Sequence, residues 1–325
     1  MEIEKNGKTL TVLFLQGEAT NSLIMVNKND LYEDRENKKS KLEKGGLKLE
    51  FELEMTPKIN IRPSLWKLLD IITIEFTKNN GYKCEKINVA TTLELFDIAK
   101  KLGYKVESEV KETDEEREKE EIRSKSAIDQ ARREINKDLD VLFSLTLSWI
   151  PVGKKKSKRN YLDMRLIQSK EFKNGVYKIM LGNLFAEYLV NSYLNKYPLS
   201  LLKTNDKNSV VYQLGMKLVA HYNINSITKN SSGDKLKISS ILESVGNLKN
   251  YESLNDKKHW KRYIKNQIEN SLQQLIELGI VSKWEYQKKG GIPVTDEELE
   301  KIKYSDYENL YLYFKIEMSD VEEKK

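Results

Sequence analysis

The sequence predicts an α+β chain of two tandem modules, each a helical core closed by a β-hairpin, preceded by a short β-rich segment. Three observations carry this prediction. The order helix, short strand, helix, helix, strand pair occurs twice along the 325 residues. Each half runs a Leu-rich helix end into a strand holding Ser and Trp: LDVLFSLTLSW ends at Trp149 and LQQLIELGIVSKW at Trp284. Basic residues are gathered at a few places rather than spread evenly. The repeated order is that of a winged helix, and the repetition points to two related modules.

The elements follow in turn. Residues 1–55 read as an extension with strands over Leu10–Leu15, Ser22–Val26 and Leu47–Leu53, the polar stretch Glu33–Gly46 being a loop. The first winged-helix domain spans 56–197. After Pro63, with Ser64 as cap, Leu65, Trp66, Leu68, Leu69, Ile72 and Phe76 recur at helical spacing up to Gly81. Lys86–Ala90 is extended. Thr91 and Thr92 then cap a helix over Leu93–Leu102 that stops at Gly103. Residues 107–121 form an acidic insert, either a solvated helix extension or a linker. Ser124–Leu145 is a third helix with Ile128, Ala131, Ile135, Leu139 and Leu142 in one apolar stripe. Strands over Thr146–Val152 and Tyr161–Gln168 flank the basic tip Gly153–Asn160, and Gly175–Leu181 follows a turn at Asn174-Gly175.

The second domain spans 198–325. Its helices are Ser209–Tyr222, Ser239–Val245 and the long Asp256–Leu278, and its strands are Leu236–Ile238, Val281–Gln287 and Tyr311–Glu317. Trp260, Ile264, Ile268, Leu272 and Leu275 mark the buried stripe of the long helix.

Charge limits what such a chain does. The formal net charge is +6, yet residues 107–121 hold nine acids and three bases, which leaves +12 on the rest. A basic body with a segregated acidic run suits a protein that binds a polyanion. A single cysteine, Cys84, excludes an internal disulfide and a cysteine-based zinc site. The start MEIEKNGKTL has no signal-peptide pattern, no stretch is long enough to span a membrane, and a cytoplasmic location is expected.

Two clusters point to nucleic acid. Lys257, Lys258, Lys261, Arg262 and Lys265 crowd the exposed side of the N-terminal half of the long helix, as a groove-entering helix requires. Lys154, Lys155, Lys156, Lys158 and Arg159 repel one another at a hairpin tip, where a phosphate backbone would neutralise them. Catalytic readings find no support. His221 and His259 lie far apart, so the paired histidines of a metal-dependent nickase are missing, and His221 among Val219, Ala220 and Tyr222 reads as packing. No glycine-rich phosphate loop occurs, and Asp138 and Asp140 do not share a helix face. Neither an enzyme activity nor a cofactor is expected.

The runs TTLELFDIAKKLGYK, IDQARREINKDLDVLFSLTLSW, YLDMRLIQSKEFKNGVYKIMLGNLFAEYL, YPLSLLKTNDKNSVVYQLGMKLVAHYNIN and KKHWKRYIKNQIENSLQQLIELGIVSKWEY, in that order, resemble replication initiators of plasmids and phages of Gram-positive bacteria. The resemblance implies an iteron-binding, tandem winged-helix protein that recognises direct repeats in double-stranded origin DNA. It implies that the C-terminal winged helix makes the main specific contacts. The N-terminal one would add DNA contacts and a homodimer interface, with repression of the protein's own promoter. Host initiator or helicase-loading factors would be partners. By position, Lys257, Lys258, Lys261, Arg262 and Lys265 would belong to the second recognition helix, and Gln130, Arg133 and Lys137 to the first. Two other classes compete: a winged-helix transcriptional regulator without a replication role, and a winged-helix protein-interaction module. Salt-sensitive binding to duplex DNA separates the last from the others, and replication of a linked origin separates the first two.

Overall fold

The computed structural model describes residues 2–3, 11–16, 32–34, 39–44, 47–52, 62–81, 83–106, 114–149, 162–205, 209–227 and 234–317. Helices and small antiparallel sheets divide into two compact units. One holds Phe14–Leu23 and Asn27–Leu194; the other holds Met1–Leu13, Ile24–Val26 and Asn195–Lys325. The chain opens with β1 (Glu2–Ile3) antiparallel to β2 (Thr11–Gln16), Glu2 opposite Val12. The strand expected over Ser22–Val26 lies outside the described residues.

In the unit ending at Leu194, β3 (Tyr32–Asp34), β4 (Lys39–Lys44) and β5 (Leu47–Glu52) form successive antiparallel pairs. The loop expected over Glu33–Gly46 is therefore corrected. The register sets Lys39 opposite Glu52, Lys41 opposite Glu50 and Glu43 opposite Lys48. A polar strand of this kind is specified by cross-strand pairing, which an apolar alternation rule does not detect.

Helix α1 (Pro63–Asn80) places Pro63 in its first turn, where the missing N–H costs nothing. The capping position is Arg62 rather than Ser64, which lies buried inside the first turn. Its apolar face, Leu65, Trp66, Leu68, Leu69, Ile72 and Phe76, is buried as expected. Gly81, at φ 73°, ends it and donates to the Thr77 carbonyl at 2.9 Å.

Next comes β6 (Ala90–Glu94), then α2 (Leu95–Lys101). Thr91 and Thr92 are strand residues and not caps, which corrects the expected helix Leu93–Leu102. Thr91 and Leu93 are buried while Thr92 and Glu94 are exposed, the period-two alternation of a half-buried strand. Helix α3 (Asp114–Ser144) starts ten residues before the expected Ser124, so from Asp114 onward the acidic run is helical. Ala131, Ile135, Leu139 and Leu142 are buried, with Ile128 partly so.

Four strands follow: β7 (Thr146–Trp149), β8 (Leu162–Arg165), β9 (Ile167–Lys173) and β10 (Val176–Leu181), then α4 (Asn183–Val190). One sheet takes the order β6-β10-β9, the other β3-β4-β5-β7-β8. This corrects the wing. The hairpin that pairs with the strand between the first two helices is β9–β10, turning at Asn174 (φ 51°) and Gly175 (φ 79°). The β7–β8 hairpin, expected to be the wing, belongs to the five-stranded sheet.

The other unit follows β11 (Tyr193–Pro198), the third strand of the sheet β1-β2-β11. It contains α5 (Ser209–Ile227), β12 (Lys235–Lys237) and α6 (Ile238–Ser244). A third helix then begins as a 3₁₀ turn over Lys257–His259, passes through a π turn over Lys261–Lys265 and becomes regular as α7 (Asn266–Glu277). The single regular helix expected over Asp256–Leu278 is thus corrected. Strand β13 (Val281–Gln287), short helices α8 (Asp296–Lys301) and α9 (Tyr304–Tyr307), and β14 (Tyr311–Ile316) complete it.

The sheet order β12-β14-β13 repeats β6-β10-β9: the strand after the first helix pairs with the last strand of the hairpin. Both units are winged helices. In the core of this one α5 packs on α7, and Gly215 permits the approach. A Cβ there would lie 2.3 Å from Leu201 Cδ2 and 2.9 Å from Leu275 Cδ2.

Candidate nucleic-acid interface

The entry of the third helix in the 195–325 unit is built around Trp260. Asp256 caps it, its carboxylate accepting from the Lys258 amide at 2.9 Å. One turn on, Trp260 is 7% exposed and lies edge-on to Tyr304 (centroids 5.5 Å apart, 78°) and tilted against Tyr307 (5.1 Å). Tyr304 stacks on Tyr251 at 3.9 Å, and the buried Tyr307 and Tyr286 hydroxyls are 2.9 Å apart. Burial pushes both of these phenols up, so they stay protonated. The ring cluster fixes one side of the helix start against the β13–β14 connection, and the opposite side is left to solvent.

The five predicted cations divide between those two situations. Lys258 and Arg262 are exposed and form no ion pair with another described residue; the Arg262 guanidinium lies 5.7 Å from the neighbouring Tyr263 ring. Lys257 is exposed but bonds to Glu252 at 2.5 Å and lies 5.0 Å over the Tyr251 ring. Lys261 is half-buried and donates to the Glu300 carbonyl. Lys265 is mostly buried and pairs with Glu269 at 2.9 Å. Lys261 and Lys265 are therefore occupied in holding the helix, and the expectation that all five crowd an exposed side holds for three of them.

Sequence reasoning overlooked two groups here. Asn266, Asn270 and Gln273 continue the exposed line of Arg262 along the helix. Attention to exposed amides, and not only to cations, would have found them. The second group is the turn after β13. The Lys288 amide donates to the Ile292 carbonyl at 2.8 Å, Gly290 and Gly291 have φ of 94° and 85°, and Ile292 is 60% exposed. Lys288 pairs with Glu298 at 2.5 Å, whereas Lys289 beside it is exposed.

In the unit ending at Leu194, Gln130, Arg133 and Lys137 are exposed on α3, as its stripe required. Lys137 is paired with Glu134 at 2.9 Å and Arg132 with Asp129 at 3.3 Å, whereas Arg133 forms no ion pair with another described residue. Arg62 ties α1 to α3, 2.5 Å from Glu134 and 3.3 Å from the buried Asp138. The Lys137 hydrogen bond, opposed by burial and aided by Arg62, holds the Glu134 carboxyl below its usual range. Lys154, Lys155, Lys156, Lys158 and Arg159 lie outside the described residues, in the β7–β8 connection.

Among the described residues, no group of three or more His, Cys, Asp or Glu is placed to hold a metal. His221 Nε2 lies 2.9 Å from the Lys235 carbonyl oxygen, and exposed His259 is 3.5 Å from Asp256. No helix among the described residues is long and apolar enough to cross a membrane.

Fold and site define a tandem winged-helix protein with exposed cations on the third helix of each unit. A solved structure of domains 2 and 3 of RctB is similar, at 13% identity and a TM-score of 0.42, over 91% of this chain and 98% of that one. A second structure of RctB domains 2–3 gives 12% identity and a TM-score of 0.39, over 85% and 90%. No family model and no curated protein matches the chain.

Proposed function

We propose that the protein binds double-stranded DNA sequence-selectively through the third helix of its 195–325 unit, and does so at a replication origin to initiate replication. One observation carries the DNA-binding reading. Lys258 and Arg262 stand exposed in the first turns of a helix, the end at which the backbone dipole disfavours positive charge. Lys258 and Arg262 have no carboxylate partner among the described residues. A phosphate backbone supplies the missing negative charge, and the aromatic cluster around Trp260 holds the helix start rigid for it. Gln130 and Arg133 form a weaker candidate surface. The basic segment Lys154–Arg159 is proposed as a phosphate contact that adds affinity without selectivity.

The origin role, with direct repeats as target and host replication factors as partners, extends the sequence resemblance. The protein itself is proposed to have no catalytic activity. Footprinting on the DNA flanking its own gene tests both levels. Direct repeats protected at helical-turn spacing, with affinity that falls as salt rises, are expected. Binding that is indifferent to salt would refute the DNA reading, and protection of a promoter operator with no replication of a linked origin would refute the initiator role.

A further inference from the structure

The exposed ridge of this helix continues well beyond its cations. Lys258, Arg262, Asn266, Asn270 and Gln273 are exposed at spacings of four, four, four and three, so they lie along one line. That line runs opposite the buried stripe Ile264, Ile268, Leu272 and Leu275. Asn266, Asn270 and Gln273 make no side-chain hydrogen bond to another described residue. Glu269, the residue before Asn270 in the sequence, is neutralised by Lys265 at 2.9 Å.

Asparagine is among the poorer helix formers, because its side chain competes for backbone hydrogen bonds. Two exposed asparagines one turn apart in a regular helix, with no side-chain hydrogen bond to another described residue, weaken the element that carries them. Their amides do fit a ligand. A carboxamide offers a donor and an acceptor side by side, the complement of adenine N7 and N6 in the major groove, as a guanidinium is the complement of guanine O6 and N7.

Resting on the reading of this helix as DNA-facing, we propose that Arg262, Asn266 and Asn270 read base edges, the arginine taking a guanine and the asparagines adenines. Arg262 and Asn270 are eight residues apart, about 12 Å along the axis. At 3.4 Å per base pair, the recognised duplex holds its guanine and adenines within about four base pairs. Lys258, one turn before Arg262, reaches phosphate, and Gln273 lies past the end of the read segment.

The full-length protein is used to select from a pool of duplexes with a randomised centre. The winning duplex is then remade with 7-deazaadenine, which lacks the N7 acceptor, at each adenine in turn. The parent is expected to select a guanine with adenines nearby, and to lose roughly tenfold or more in affinity at two deaza positions. Asn266→Ala should be insensitive to one of those substitutions and Asn270→Ala to the other, while both variants melt at or above the parent's temperature. If every deaza substitution weakens parent and variants equally, the asparagines do not read adenine, although DNA binding stands. A lower melting temperature for the variants would also overturn the inference, since the amides would then serve the fold. If the parent enriches no sequence and its retention of duplex is insensitive to salt, the DNA reading fails as well.

Discussion

The two winged-helix units share a strand order and differ at the entry of their third helices. The ten residues Asp114–Arg123 hold six acids and three bases, a net of −3; the ten residues Asp256–Lys265 hold one acid and five bases, a net of +4 with His259 neutral. Acids at a helix N-terminus complement the backbone dipole, so the first arrangement favours its own helix, and α3 is 31 residues long. The second opposes the dipole, and there the helix begins with 3₁₀ and π turns braced by an aromatic cluster. The same topology therefore supports one helix entry suited to folding and another suited to a polyanion. A winged-helix backbone alone does not fix the charge of its third-helix entry.

The largest expected effect tests whether the units are energetically separate. Ile268 and Ile135 are at 0% and 1% exposure, and an aspartate at either position buries an unpaired charge, costing more than about 4 kcal/mol. Ile268→Asp should unfold its unit and abolish duplex binding. Ile135→Asp should leave most binding in place. Calorimetry with fluorescence anisotropy on a selected duplex reads both, and equal loss of binding in the two variants would erase the contrast drawn above.

Next comes the bracing unique to the unit ending at Leu194. Arg62→Met removes one partner of Asp138, whose side chain is 4% exposed, and also the Glu134 contact, and should cost about 1–3 kcal/mol. Denaturant melts should show the loss in that unit alone.

At the interface, Arg262→Ala should cost about 1–3 kcal/mol of specific affinity and relax one base-pair position. Lys258→Ala should weaken all duplexes alike and lower the slope of log K against log salt by about 0.9. Arg133→Ala is expected to do less than either. Salt titrations of the three variants rank the helices, and a larger effect from Arg133 would reverse the order.

The response to pH should be smaller, with an acid limb from Glu134 in the unit ending at Leu194 and alkaline limbs in both units. Glu134 has a lowered pKa, so its stabilisation is present above the unfolded value near 4.5 and is lost as pH falls through the lower folded value. Tyr286 and Tyr307 are raised, so theirs is full below about 10 and is lost as pH climbs above it. Tyr177, pushed up to about 12 chiefly by burial, adds an alkaline contribution to the other unit. Melts from pH 3 to 11 should show an acid limb that Glu134→Gln weakens and the onset of an alkaline limb that Tyr307→Phe reduces. The smallest effect is expected from Thr295→Ala, which opens the capping box with Glu298 on α8 at about 1 kcal/mol.

Much of this was legible in the amino-acid order. The stripe from Trp260 to Leu275 is strictly periodic, so which side of that helix is buried, and hence that Lys258 and Arg262 are exposed, follows from spacing alone. Helix stops at Gly81 and Gly103 were readable because positive φ selects glycine there. Tertiary structure decided whatever depends on partners remote in sequence. Strand β4 exists through its register with β5, and Thr91 is a strand residue because β10 pairs with it. Which hairpin is the wing depends on which strand reaches β6, a choice made across some eighty positions of chain that local periodicity does not sense. Lys261 and Lys265 likewise read as surface cations until the fold brought Glu300 to one and turned the other, with Glu269, toward the interior. Periodicity is a local property of the chain, whereas pairing and charge compensation are settled only when distant segments meet.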